Sequence, residues 1–198
     1  MQLSSRLRLV ALQLTLALAT STMALPASAA PSSKFDPQIE VQGNKLQLNG
    51  AGTRTKFFVK VYDMGLYTTR KVGTPEELLA LAGPKRLAFT ALRELPGTEL
   101  GRLFVKGLAE NSPEDQVRKH TMATTRLIEI FSAKNKLMPG DTFAMEFVPG
   151  KGTQFVITGQ PQGEPVGDDE FFQMVLKVWV GKSPADRDLR DALLGKGS

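Results

Sequence analysis

The chain has 198 residues, is 41% hydrophobic and 23% charged, and carries a net charge of +5 with no cysteine and one histidine. That is enough chain for one domain with a sizeable core, and it excludes disulfide staples, thiol catalysis and zinc sites built from cysteines or clustered histidines. Lysine and arginine alternate with aspartate and glutamate throughout, so no basic block marks a nucleic-acid or lipid-headgroup surface.

Residues 1–29 read as a secretory signal peptide. Arg6 and Arg8 form a basic start, residues 9–18 form an apolar stretch interrupted by Gln13 and Thr15, and Ala27-Ser28-Ala29 has the small-x-small form of a cleavage site. The apolar stretch is shorter than the ~20 residues of a spanning helix. Cleavage after Ala29 predicts an exported protein, with a bacterial periplasm as its address. Residues 30–49 are a lead-in followed by a β-hairpin, with residues 38–42 and 45–49 alternating around Gly43-Asn44. Residues 50–195 form the main domain.

A glycine-rich bend at residues 50–53 leads through Arg54 into a long strand, residues 55–68, apolar on both faces. Gly65 inside it predicts a bulge or a close backbone approach. Thr74-Pro75-Glu76-Glu77 is a capped helix start with proline at the first helical position. Residues 85–95 read as a strand facing the core through Leu87, Phe89 and Ala91. Pro96-Gly97-Thr98 opens a helix with a stripe of Leu100, Leu103, Phe104 and Leu108. Ser112-Pro113-Glu114-Asp115 predicts a capped start for the longest helix, reaching Ala133, with Val117, Thr121, Thr124, Ile128 and Phe131 on one face.

Met138-Pro139-Gly140-Asp141 is a turn. Residues 142–148 and 153–159 are strands joined by Pro149-Gly150-Lys151-Gly152, and residues 161–167 are an edge strand or loop. Asp168 caps a strongly apolar helix that ends at Gly181, and Ser183-Pro184-Ala185-Asp186 starts the last helix. Strands, helices, strands, helices, with hairpins at both ends, predict an α+β fold in which an antiparallel sheet carries helices on one face.

Gly150-Lys151-Gly152-Thr153 lies between strands and lacks the spacing of a phosphate loop, so it reads as a hairpin turn. His120, at the edge of the apolar stripe of its helix with no sequence-adjacent cysteine or second histidine, reads as a boundary residue, and Met122, Met138, Met145 and Met174 read as core or pocket fillers. Nothing calls for a cofactor, a metal or nucleic acid. The helix before the last is apolar nearly all round through Phe171, Phe172, Leu176, Val178 and Trp179, as in buried helices, and part of it is a candidate pocket wall. Arg54 and Tyr62 stand out as a candidate pair. Arg54 either meets a protein carboxylate or joins the Tyr62 hydroxyl in gripping a ligand oxyanion, for which a planar guanidinium fork is suited.

Gly52-Thr53-Arg54, the run from Phe58 to Tyr67, the segment from Pro149 to Thr153 and the segment from Val178 to Asp186 together resemble the chalcone isomerase-like family, in its bacterial exported branch, over residues 50–194. The resemblance implies an open-faced β-sandwich, a large antiparallel sheet covered by a layer of helices with a cleft between. It implies one of two activities. One branch closes a chalcone to a flavanone as an intramolecular lyase, or isomerase; the other binds fatty acids through an arginine and a tyrosine. Arg54 matches the family arginine. Tyr62 stands where the isomerases have threonine, as in the fatty-acid-binding branch. The polar helix positions of the isomerases fall near Leu100, Leu103 and Gly107, and the penultimate-helix position near Val178. Three readings follow. The first is a binding protein for a small amphipathic acid such as a fatty acid, with Arg54 and Tyr62 on the carboxylate and Leu100, Leu103, Phe104, Val178 and Trp179 around the tail. The second is an isomerase using Arg54, and the third is an interaction module with a closed cleft.

Overall fold

The computed structural model describes residues 31–196; the proposed signal peptide lies outside them. A seven-stranded antiparallel sheet runs in the order β1 (Gln38–Val41), β2 (Asn44–Lys56), β3 (Val59–Thr68), β4 (Lys85–Ala91), β7 (Thr142–Val148), β8 (Gly152–Ile157) and β9 (Gln160–Pro161). Between β4 and β7 the chain makes a short two-stranded ribbon, β5 (Leu95–Pro96) with β6 (Lys136–Leu137), and most of the helical layer. The helices are α1 (Pro75–Ala80), α2 (Gly97–Asn111), α3 (Glu114–Lys119), α4 (Thr121–Ala133), α5 (Asp169–Val180) and α6 (Arg187–Leu193).

The core lies between one face of the sheet and the helices. Alternation along each strand sends Tyr62, Met64 and Leu66, then Leu87 and Phe89, then Phe143, Met145 and Phe147, to the helical side. The α5 helix lies against them, with eight of its residues, Phe171 through Val180, buried. Its start is capped by the Asp168 carboxylate, which accepts from the Phe171 amide at 2.9 Å.

The opposite face of β3 is covered too, which is why that strand is apolar on both sides. The lead-in to β1 crosses it. The Phe35 ring lies where a Cβ at Gly65 would come within 2.8 Å of it, so Gly65 serves a close approach, and the β3–β4 register passes through it without a bulge. The Tyr67 hydroxyl donates to the Asp36 carbonyl at 3.1 Å. Beneath the lead-in, the fully buried Asp63 carboxylate accepts from Thr53 Oγ1 at 2.5 Å, the Ser33 amide at 2.6 Å and Ser32 Oγ at 3.1 Å. Burial alone would raise its pKa, but these donors outweigh it and hold the carboxyl below its ordinary value.

The structure corrects several of the expected elements. The predicted bend and long strand at residues 50–68 are two strands of one hairpin. Gly50 and Gly52 lie inside β2, packed on α6, and the chain reverses at Phe57 and Phe58. In the first hairpin the turn residues are Gln42 and Gly43, not Gly43 and Asn44, because Val41 pairs with Asn44. The predicted longest helix is two, α3 and α4, meeting at His120, whose φ of −100° and ψ of 23° leave the helical region. Ser112 does not cap it; its hydroxyl is buried without a partner. The buried face of α4 is Leu127, Ile130 and Phe131, whereas Ile128 is exposed.

Lys85, at the start of β4, is buried. Its ammonium donates to the carbonyls of Leu81 at 2.5 Å and Gly83 at 3.1 Å, and loss of hydration pushes its pKa down to about 8 against a partial upward pull from Asp169. A folded-state pKa below the unfolded one means that the unfolded chain binds more protons between about pH 8 and 10.5, so stability rises with pH across that window. Relative to a Lys85→Met variant, the wild type should therefore gain about 2 kcal/mol between pH 7.5 and 10.5. Urea denaturation of both proteins across this range checks it; a constant difference would contradict it.

Candidate functional site

The β2–β3 register sets Arg54 directly across from Tyr62. Thr53, one residue earlier, points to the opposite face and its bond with Asp63, so Arg54 faces the helices. On that side the Arg54 guanidinium carbon lies 5.6 Å from the centre of the Tyr62 ring. The Tyr62 hydroxyl is buried and accepts from the Trp179 indole N–H at 2.8 Å, tying β3 to α5. Burial pushes the Tyr62 pKa up; the Arg54 charge and the Trp179 hydrogen bond pull against it without prevailing.

These groups stand at one end of a cavity of about 200 Å³ between sheet and helices. From α2 come Leu100, Leu103, Phe104 and Gly107; from α5 come Val178 and Trp179. Gly107 lets the two helices meet, since a Cβ there would come within 2.8 Å of Val178 Cγ1. All seven ligand-binding candidates from the sequence, Arg54, Tyr62, Leu100, Leu103, Phe104, Val178 and Trp179, are thus brought to one cavity wall.

The lining also takes Phe131 from α4 and Phe143 and Met145 from β7. In sequence Met145 reads as a core or pocket filler and Phe131 as part of an apolar helix face, but nothing there places them or Phe143 at the site. Sequence reasoning also missed Lys106 and Glu110 on the outer turn of α2, and the segment at residues 183–185. Phe143 and Met145 carried a usable signal, since they alternate on the core face of β7. Lys106 and Glu110 are four apart on α2 and pair with each other at 3.5 Å.

Donors predominate at the Arg54 corner; the carboxylate within range, Asp186, adds to the rise of the Tyr62 pKa and is itself held by the Thr55 and Leu189 amides. Arg54 forms no ion pair with a described residue, so the alternative of a partner carboxylate is not realised. Its Nε is buried with no hydrogen-bond partner. Both neighbours of the Tyr62 oxygen, Trp179 Nε1 and Arg54, are donors. The corner therefore holds more hydrogen-bond donors than acceptors, an arrangement that suits an anion. The rest of the lining is mostly aliphatic and aromatic, with Lys106, Glu110 and Ser183 among it.

His120 is not the boundary residue expected. It is buried where α3 meets α4, with Nε2 3.0 Å from Glu170 Oε2 and its ring 5.8 Å from that of Phe171. His120, Asp168 and Glu170 offer three metal-type ligand atoms within 4.8 Å of one another. Two of these groups are already engaged. Lys119 donates to the same Glu170 oxygen and, with His120, lowers the Glu170 pKa, while Asp168 caps α5. The cluster fastens the α3–α4 corner to the start of α5.

Among solved structures the chain is similar to a fatty-acid binding protein of Arabidopsis thaliana, with a TM-score of 0.61 at 14% identity, over 86% of this chain and 97% of that one. At that identity the likeness shows the fold alone. Comparison with curated proteins gives no match. The model of the chalcone isomerase-like family matches residues 27–195. With the antiparallel sheet and its helical layer in place, this chain belongs to the chalcone isomerase-like family.

Proposed function

We propose that this protein is an exported binder of a small amphipathic carboxylate, a fatty acid of short to medium chain, held between sheet and helices. The observation that carries the reading is the excess of donors at one end of an apolar cavity. Arg54 Nε is buried without an acceptor, and the Tyr62 oxygen is met by donors alone, Trp179 and Arg54; a carboxylate supplies two acceptor oxygens and a full negative charge. Trp179 holds the Tyr62 oxygen in place, so the tyrosine proton is directed elsewhere, toward the ligand. The tail lies along Leu100, Leu103, Phe104 and Val178, each buried methylene contributing about 0.8 kcal/mol.

A cavity of about 200 Å³ is smaller than the ~300–1,000 Å³ of drug-sized sites, which favours short tails over long ones. The solved relative named above is itself a fatty-acid binding protein. The apolar wall also favours binding over ring closure, because it offers few groups to orient a polyphenol.

Native mass spectrometry of the protein purified from cells, followed by calorimetric titration with octanoate and decanoate, tests the reading. We expect a co-purified acid of a few hundred daltons or less, and at least ~100-fold weaker binding in Arg54→Ala, equivalent to about 2.7 kcal/mol. Arg54 has no protein ion pair to lose, only its contact with Tyr62, so that variant should still fold with a stability loss of about 1 kcal/mol. Undiminished affinity in Arg54→Ala would sink the carboxylate reading. Acceleration of chalcone closure above the spontaneous rate would replace it with the isomerase reading.

A further inference from the structure

The β2–β3 hairpin reverses through a two-residue loop, Phe57 and Phe58, closed by the pairing of Lys56 with Val59. Both phenylalanines have positive φ, 48° and 65°. A two-residue loop with both central residues in the left-handed region is a type I′ turn, which favours Asn-Gly or Gly-Gly. Bulky side chains there are conformational outliers. Burial cannot account for their presence: Phe57 is 86% exposed, Phe58 is fully exposed and Val59 is half-exposed. The tip therefore keeps two aromatic rings in solvent, in a backbone conformation that disfavours them.

Lys56 and Lys60 stand on the two strands at the base of this tip. Both are exposed, and neither forms an ion pair with a described residue. The Lys56 ammonium lies 5.9 Å from the Phe57 ring centre. Exposed Arg93 follows Leu92, whose amide is bonded to the Val61 carbonyl, so a third cation stands near the base. Glu94 beside it is engaged by Lys136 at 2.8 Å. The sequence shows no basic block because these cations converge only when the chain reverses at Phe57 and Phe58.

We propose that this tip inserts its two phenylalanines into the interface of an anionic lipid bilayer, with Lys56, Lys60 and Arg93 on the headgroups. Aromatic rings at the acyl boundary and cations at the headgroups are the usual division of labour at a membrane surface. A protein partner fits less well. Two phenylalanines offer on the order of 300–500 Å² on a convex point, and a stable protein interface buries about 1,200 Å² or more in total. Arg54 lies three residues before Phe57, so the tip would hold the cavity roughly 10 Å from the lipid. The docking itself does not depend on what the cavity binds.

Flotation with vesicles, one set of phosphatidylcholine alone and one with added phosphatidylglycerol, tests the proposal. The comparison is between the protein as purified from cells and a Phe57→Asn/Phe58→Gly variant with the same N-terminus. Asn-Gly suits the turn, so the variant should fold and melt at the same temperature or higher. We expect the wild type to float with the anionic vesicles, to be released as salt rises, and to bind them at least ~10-fold more tightly than the variant. Equal flotation of the two proteins, or no flotation of the wild type with either vesicle, overturns the proposal. So does a wild-type dimer in sedimentation that the variant loses while neither protein binds vesicles, which would assign the tip to a second copy of the chain.

Discussion

Replacing Trp179 with alanine should cost about 3–5 kcal/mol of folding stability, the range for truncating a buried tryptophan. The indole is 5% exposed, lies 5.2 Å from the Phe89 ring and 5.8 Å from the Phe104 ring, and so joins sheet, α2 and α5. Its removal would open a void continuous with the existing cavity, so little collapse can offset the loss. It would also release the Tyr62 hydroxyl. Trp179→Phe separates the two effects. It keeps most of the packing and deletes the N–H, so it should cost about 1–2 kcal/mol, close to the value of one buried hydrogen bond plus a small volume change. Urea denaturation of both variants checks the stabilities. Equal losses would mean that packing contributes nothing beyond the hydrogen bond, against the geometry described.

Gly50→Ala should be nearly as damaging although it adds one methyl group. A Cβ at this position would lie 2.1 Å from the Ala192 carbonyl oxygen and 2.6 Å from that of Leu193. Those are backbone atoms of α6 and its end, which cannot swing aside as a side chain can. The helix must shift, and with it the bonds that dock it. These are Asn49 Nδ2 to the Leu193 carbonyl at 2.7 Å and the Thr55 amide to the Asp186 carboxylate at 3.0 Å. A loss of about 3 kcal/mol follows from overpacking against backbone. Gly43→Ala is the control: its Cβ would meet nothing within 4 Å, and only its φ of +81° opposes the change, so about 1 kcal/mol is expected. Thermal melts of the pair would contradict the close-approach argument if they shifted equally.

How far the sequence disclosed this structure differs from element to element. Asp168 and Thr74 announced helix starts because capping is local chemistry, and each accepts the amide hydrogen bond expected of it; the last helix, expected to start from Ser183, begins only at Arg187, capped by Asp186. The antiparallel sheet and its helical cover followed from alternation and element order. The reversal at Phe57 and Phe58 was hidden because neither residue carries a turn signal, and the apolar run from Phe57 to Val59 reads as the interior of a strand buried on both faces. The break at His120 was hidden because a buried contact with Glu170 and Phe171, 50 residues later in the chain, accompanies it. At the site, Arg54 and Tyr62 could be singled out by residue type, although they were read within one strand and are in fact neighbours across two. The bond from Trp179 to Tyr62 spans 117 positions and has no local trace.

The grip of Asn49 on Leu193 has a bearing on how the chain reaches its fold. Asn49 sits at an irregularity in the β2 register. Its amide donates to the carbonyls of Val72 and Leu193 and accepts from the Val72 amide. One of those contacts links positions 144 residues apart, and α6 packs on β2 along the same line. The second strand thus waits for the last helix. Such long-range closure is slow to form, and a ribosome must release the chain at least through Leu193 before it can occur. A nascent chain lacking α6 would leave Gly50 and Gly52 facing water in place of their helix.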